Sequence, residues 1–464
     1  MTINLQPFIK GGTPKYQAIA EALKSAISQG ELAPGTRLPT HRALAEQLEV
    51  SVQTVSNAYS LAAKMGLVDS TVGSGTYVSN GSVDNEFMLI DSSDREGVAI
   101  DLSIAHPVCS LQLQQLFSET LRRIADGDTE PLLTAMRPVQ GQPQHIEAGV
   151  RWLASQRLPL ESDRLILCNG ASHALMLALS TAVQAGDTVA CEALVDHGLI
   201  ARARILNIRL QGLASDEQGI LPEALETLCR QQKVKALCCT PSMSNPSSAH
   251  MGMQRRREIA AIAERHGVLV IEDDVYGPLE PNRLPPLASL LPELAFHVTS
   301  LTKILAPGMR AGYLVAPRHL LRHTIGRLAP TTWMATPLPF EIASRLINDG
   351  SLDKLLAFEQ QEFAARQQLV DRYLGEFHYQ RHPNGMHVWL QLPDEWSADE
   401  LVTTAQQANL LITSDRPFLV QPEQRQRRVR LSLGVESSRS RLTQGLKLLA
   451  DILRSPPPPT HFLL

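Results

Sequence analysis

The run SLTKILAPGMRAGYLVAP, residues 300–317, sets one lysine, Lys303, among small and apolar neighbours, with Ser300 and Thr302 close before it and Arg310 after it. A lysine that attacks a carbonyl must be unprotonated part of the time, which burial or nearby cations bring about. The two hydroxyls and the guanidinium are donors suited to a phosphate. An S-x-x-K spacing alone is a weak signal, because most lysines are simply solvated.

On both sides of this run, short apolar stretches alternate with amphipathic helical ones. RLILC (164–168), DTVACEA (187–193), KVKALCC (233–239) and GVLVIEDD (267–274) are the clearest of the apolar stretches. That alternation predicts a mostly parallel sheet covered by helices, over residues 99–454. VLVIEDDVY (268–276) puts Asp273 and Asp274 at the C-terminal end of a strand, where open α/β sheets hold their ligands. An acidic pair at a strand end also serves as a helix cap. CNGASHALMLALS (168–180) opens a helix on small residues, so that Gly170, Ala171 and Ser172 can offer backbone N–H groups to a phosphate.

Taken whole, residues 300–317 resemble the Schiff-base lysine segment of fold-type I aminotransferases, most closely in the form found in MocR-type regulators. The resemblance makes Lys303 the lysine that binds pyridoxal 5'-phosphate and the catalytic residue, if there is catalysis. It assigns Asp273 to the pyridine nitrogen, which a buried carboxylate keeps protonated. Tyr276, and Asn245 from CTPSMSNPSSAHM (239–251), fall to the ring's 3-oxygen. Ser300, Thr302, Arg310, Gly170, Ala171 and Ser172 fall to the phosphate. RRVRLSLG (427–434) resembles the segment whose arginine grips a substrate carboxylate, which makes Arg430 the effector or substrate residue. The alternative for Arg430 is a surface arginine on an edge strand.

The family usually stacks an aromatic on the ring from a segment like E-x-P-x-Y-x-G. This chain reads Glu192-Ala-Leu-Val-Asp-His-Gly198, which puts Asp196 or, with a shift of one, His197 at that place. An imidazole can stack and a carboxylate cannot, so His197 is the candidate. A tyrosine expected before Gly141 is also missing, with Met136 and Arg137 standing there. Altered stacking beside intact Schiff-base and phosphate elements favours binding over efficient transamination.

Residues 1–79 follow a different pattern. Tyr16, Ile19, Leu23 and Ile27 lie on one face of a first helix. Thr40 can cap a second, HRALAEQL, and Ser51 a third, VQTVSNAYSLAAKMG. The tight turn between the last two makes a helix-turn-helix, and LVDSTVGSGTYV reads as a two-stranded wing. Residues 30–78 resemble the GntR-type winged helix almost end to end. The resemblance makes Arg42, Ser51, Gln53, Thr54, Asn57, Gly73 and Ser74 the DNA-binding candidates. Val52 and Ser56 stand where many relatives carry arginine, which should weaken non-specific affinity and salt dependence.

The whole chain of 464 residues carries a net charge of −4, and residues 1–80 hold six Lys/Arg against five Asp/Glu, so no basic field announces a nucleic-acid partner. Six cysteines without C-x-x-C spacing, two of them adjacent at 238 and 239, read as buried small hydrophobes, and no metal site is expected. The absence of a signal core or a long apolar run makes cytoplasmic residence, away from membranes, the expectation. Residues 80–98 read as a linker and 455–464 as a proline-rich tail. The two resemblances together imply a homodimeric regulator that binds double-stranded DNA and responds to pyridoxal 5'-phosphate or to an amino acid or other amine. An active aminotransferase acting on an amino acid is the alternative.

Overall fold

The structure, a computed structural model, describes residues 14–28, 32, 36–64, 67–71, 75–78, 99–421 and 423–457. The chain divides into two compact units, Met1–Ser92 and Ser93–Leu464.

In the first unit, helix α1 (Lys15–Ser28) packs on α3 (Val52–Lys64), with α2 (His41–Gln47) against α3. Ile19 and Leu23 of the apolar face are fully buried, and Tyr16 and Ile27 pack at its edge. The Thr40 side chain accepts from the Ala43 amide at 3.3 Å and caps α2. Ser51 Oγ accepts from the Thr54 amide at 3.1 Å and caps α3. Strands β1 (Val68–Thr71) and β2 (Gly75–Val78) pair antiparallel as a wing. The chain before α2 joins the wing through Leu38 N to Thr76 O, 2.8 Å. Tyr59 OH donates to Pro39 O at 2.8 Å, tying α3 to the same segment.

The second unit is built on a seven-stranded sheet. Its strands are β3 (Leu165–Asn169), β4 (Thr188–Glu192), β5 (Arg209–Leu213), β6 (Ala236–Cys239), β7 (Leu269–Asp273), β8 (Ala295–Ser300) and β9 (Ala311–Val315). Their order across the sheet is β3-β9-β8-β7-β6-β4-β5. Only β9 runs against its neighbours, β8 and β3. Strands covered by helices on both faces can be apolar throughout, and Val270, Ile271, Phe296 and Val298 are fully buried. Four of the seven strands turn polar at the C-terminal end: β3 at Asn169, β4 at Glu192, β7 at Asp273 and β8 at Ser300.

A smaller antiparallel sheet, β10 (Tyr379–Arg381), β11 (His387–Gln391), β12 (Thr413–Ser414) and β13 (Arg428–Ser432), is ordered β10-β11-β13-β12. The helix α4 (Ser351–Leu374) packs on the last described helix, α5 (Arg439–Arg454). The buried Arg366 of α4 bonds Glu362 and the carbonyls of Leu433 and Glu436, which fixes the smaller sheet to it. The wing tip with Gly73 and Ser74, the segment 80–98 and residues 458–464 lie outside the described residues. No described helix is long and apolar enough to cross a membrane.

Candidate cofactor site and nucleic-acid interface

The C-terminal ends of β3, β7 and β8 bring the candidates from distant parts of the sequence into one cleft. Lys303 follows β8 in a short 3-10 turn, Leu301–Lys303. Its Nζ donates to the carbonyl of Ala105 at 2.6 Å and lies 5.7 Å from the centre of the Tyr276 ring. Burial lowers the Lys303 ammonium to about 8; Arg430 and Arg310 help, while Asp196 and Asp273 oppose. The amine is therefore neutral in an appreciable fraction near neutrality.

Asp273 ends β7, and burial, with Asp196 nearby, pushes its carboxyl up to about 7. Its neighbour Asp274 points the other way, into a buried set with Arg283 and His297. The pair thus divides its labour, since successive strand residues face opposite sides of a sheet. Tyr276 is buried, its hydroxyl raised by that burial, and its ring meets His387 edge-on at 5.5 Å.

Asn245 lies between two charged partners. Its Nδ2 donates to Asp196 Oδ2 at 3.0 Å, and its Oδ1 accepts from Arg430 Nη1 at 3.0 Å. Arg430, on the inner strand β13, is itself buried, lies 4.9 Å from the Phe418 ring centre, and also donates to Ser103 O. It is not an edge-strand surface arginine. Arg425, Arg427 and Arg428 are instead engaged with Asp399 and Asp415, Asp394, and Gln391 and Gln380.

The phosphate candidates converge as well. Gly170, at φ +85°, precedes the helix Ala171–Ala182. A Cβ at Gly170 would come 2.6 Å from Arg310 Nη2, so the guanidinium lies against the start of that helix. Gly312 lets β9 approach equally closely, since a Cβ there would meet the Gly170 carbonyl carbon at 2.5 Å. Ala171 and Ser172 open the helix. Ser300 Oγ and Thr302 Oγ1 are both buried without a hydrogen-bond partner. Such hydroxyls are costly unless something fills their need.

At the stacking position, Asp196 is the residue that reaches Asn245. It also accepts from the Gly198 amide at 2.9 Å, capping the helix His197–Ile205. His197 is the first residue of that helix, its Nδ1 3.7 Å from Asp196 Oδ2, and joins the cleft through Asp196. Burial favours the protonated Asp196 carboxyl, but His197, Arg202, the Gly198 amide and Lys303 together hold it below the ordinary range.

Several participants were not visible in the sequence. The carbonyls of Ser103 and Ala105 carry no side-chain signal. His387 is buried and held neutral, lowered to about 3 by burial and Arg430. Glu192, at the end of β4, is raised to about 7 by burial and accepts from the Thr240 amide at 2.9 Å.

On the first unit, Arg42, Ser51, Gln53 and Asn57 are exposed, and Thr54 is half-buried. Gln53 Nε2 donates to Asn57 Oδ1 at 3.0 Å, and Ser51 and Thr54 hydroxyls are 2.8 Å apart. Val52, at the start of α3, is 47% exposed.

Fold and site together define a winged helix-turn-helix fused to an aminotransferase-like α/β domain. The chain belongs to the aminotransferase class I and II family, which matches residues 111–447; residues 15–78 match the gntR family of bacterial regulatory proteins. It is 29% identical to YdeF of Bacillus subtilis, an uncharacterized HTH-type transcriptional regulator, over 96% of this chain and 95% of the relative. The pyridoxine biosynthesis transcriptional regulator PdxR of Corynebacterium glutamicum is 27% identical over 64% of this chain and 65% of its own. Among solved structures, an archaeal alanine:glyoxylate aminotransferase superposes with a TM-score of 0.73 at 21% identity, covering 80% of this chain and 94% of its own. The Thermus thermophilus alpha-aminoadipate aminotransferase LysN, solved with N-(5'-phosphopyridoxyl)-L-leucine, gives 0.71 at 22% identity, covering 78% and 94%. These structures establish the fold.

Proposed function

We propose that this protein is a pyridoxal 5'-phosphate-dependent transcriptional regulator, binding double-stranded DNA through the winged helix and an amine-bearing effector in the cleft of the larger unit. The observation that carries this reading is the unfilled demand around Lys303. Two buried hydroxyls lack partners, a guanidinium lies against a helix start, and burial and Asp196 push the Asp273 carboxyl upward. A phosphorylated pyridine aldehyde answers each of these needs. Lys303 would hold its carbonyl carbon, Asp273 its ring nitrogen, Tyr276 and Asn245 its 3-oxygen. Ser300, Thr302, Arg310, Gly170, Ala171 and Ser172 would hold its phosphate, and His197 would support the ring face through Asp196.

When bound, the cofactor supplies an electron-withdrawing ring and a carbonyl that condenses with amines. Arg430, already partnered by Asn245 and the Ser103 carbonyl, would take an effector carboxylate by a bidentate contact. That contact competes with Ser103. Residues 99–105 are the first after the segment 80–98 that leads from the winged helix, and two of their carbonyls touch Lys303 and Arg430. Filling the cleft therefore releases both contacts at the end of the connecting segment. A coupling free energy between cleft and DNA follows from that shared segment.

A homodimer with a cleft completed by both subunits belongs to the same reading. Met136 and Trp333 are 62% and 47% exposed beside a surface groove of about 700 Å³, and such apolar exposure suits a subunit interface.

Asp196 in the stacking place favours sensing over turnover. The test is borohydride reduction of protein incubated with pyridoxal 5'-phosphate, followed by peptide mass mapping, alongside an assay with amino donors and 2-oxoacids. Label on Lys303, absent in Lys303→Ala, with turnover far below about 1 s⁻¹ is the expected outcome. Turnover at or above that rate favours an aminotransferase, and no label on Lys303 overturns the cofactor assignment.

A further inference from the structure

Away from the Lys303 cleft, His250, Glu280 and His382 converge so that one ligand atom from each lies within 4.8 Å of the others. His382 Nε2 is 2.6 Å from Glu280 Oε2, and the two imidazole rings lie 5.1 Å apart, centre to centre. His250 Nδ1 is buried without a hydrogen-bond partner. A simple ion pair between loops of the two sheets would account for Glu280 and His382. It leaves the buried, unpartnered Nδ1 of His250 unexplained.

We propose that these three side chains form a binding site for a divalent transition-metal ion of the zinc class. Two imidazoles and one carboxylate are a borderline-soft donor set, and three protein ligands leave a fourth place for water or an anion. A tetrahedral shell with bonds of about 2.1 Å sets ligand atoms about 3.4 Å apart, so the close His382–Glu280 pair needs to open by less than about 1 Å. The other Glu280 oxygen accepts from the Asn282 amide at 3.0 Å, which orients the carboxylate toward the histidines. The His250 backbone amide is held by Glu217 O at 3.1 Å. Binding at His382 Nε2 puts the ring proton on Nδ1, so the Asn384 amide contact there, 3.2 Å, is given up. The adjoining turn keeps its Gly385 N to His382 O bond at 2.9 Å.

The placement gives the ion a role. His250 and Glu280 come from the larger sheet's loops, five residues after Asn245 and four after Tyr276, while His382 follows β10 of the smaller sheet. His382 also lies five residues before His387, whose ring touches Tyr276 and whose Nε2 is 3.1 Å from Ser244 O. The ion ties the smaller sheet to the two loops that carry Asn245 and Tyr276.

The test uses full-length protein stripped with a chelator and then freed of it, titrated with zinc chloride by calorimetry and with cobalt(II) by absorption. One ion per chain is expected, with cobalt bands of low coordination number and no thiolate charge-transfer band. His250→Gln and His382→Gln should each weaken binding by at least about 100-fold, since even outer-shell changes cost 10–100-fold. Glu280→Gln, which keeps the shape, should weaken it less, and zinc should raise the unfolding temperature of the wild type but not of the histidine variants. Absence of binding, a thiolate band implicating the cysteines, or undiminished affinity in both histidine variants overturns the proposal.

Discussion

The chemistry of the cleft turns on one amine whose charge is set by its surroundings. Lys303 is lowered to about 8, chiefly by burial, and only its neutral form attacks a carbonyl. Cofactor incorporation should therefore rise with pH through about 8 instead of through the ordinary lysine range. Asp196 stays ionised and stabilises the ammonium, so Asp196→Asn should move the midpoint of the incorporation rate to lower pH. An unchanged or higher midpoint in stopped-flow absorbance would separate Asp196 from Lys303. Ser300 offers a second residue-level test. Its hydroxyl is fully buried and unpartnered, so Ser300→Ala should leave thermal stability unchanged or slightly raised. The same change should weaken pyridoxal 5'-phosphate binding at least about tenfold, as expected for a lost bond to a charged group. Parallel losses of stability and affinity would mean that the hydroxyl serves packing alone.

At the scale of elements, the strings that read clearly were those in which chemistry and secondary structure share a contiguous run. β7 with Asp273, the turn with Lys303, and the helix after Gly170 all belong to that group. Three features resisted, because they depend on the register of one turn, on backbone alone, or on residues gathered from distant loops. Whether Asp196 or His197 faces the cleft is decided by which residue caps the helix 197–205, and a shift of one residue exchanges them. Ser103 and Ala105 act through carbonyls that any residue would supply, and the histidine–glutamate cluster is gathered from three loops more than a hundred residues apart in extent. Gly170 holds β3, β9 and Arg310 together through a positive φ that side chains rarely adopt. Gly170→Ala adds backbone strain of about 1–3 kcal/mol and drives a methyl into Arg310. Equilibrium titration should show pyridoxal 5'-phosphate affinity reduced by at least about tenfold, and undiminished affinity would place the phosphate elsewhere. On the other unit, α3 begins with the exposed Val52. Val52→Arg restores a cation, and one added phosphate contact steepens the salt dependence of DNA binding by about 0.9 in log–log slope. An unchanged slope would mean that the start of α3 does not meet the DNA backbone.

Across the whole molecule, the two units were legible as separate patterns because their periodicities differ: helices and a short hairpin first, then alternating strands and helices. Their connection was legible only as a polar segment. Within the larger unit, the carbonyls of Ser103 and Ala105 lie on the two side chains that a carboxylate and a cofactor would occupy. A nearly neutral DNA-binding unit, with six Lys/Arg against five Asp/Glu in residues 1–80, also fits a regulator whose affinity is adjusted by the state of its partner domain instead of by a broad electrostatic field.

The most direct measurement is DNA affinity with the cleft empty and filled. A fragment selected from genomic DNA by the purified protein would be titrated by fluorescence anisotropy, with and without pyridoxal 5'-phosphate, for wild type and Lys303→Ala. The cofactor should change wild-type affinity by about 5–150-fold, the usual range of allosteric coupling, and leave Lys303→Ala unchanged. Equal affinities for wild type in the two conditions, with cofactor demonstrably bound at Lys303, would contradict that coupling.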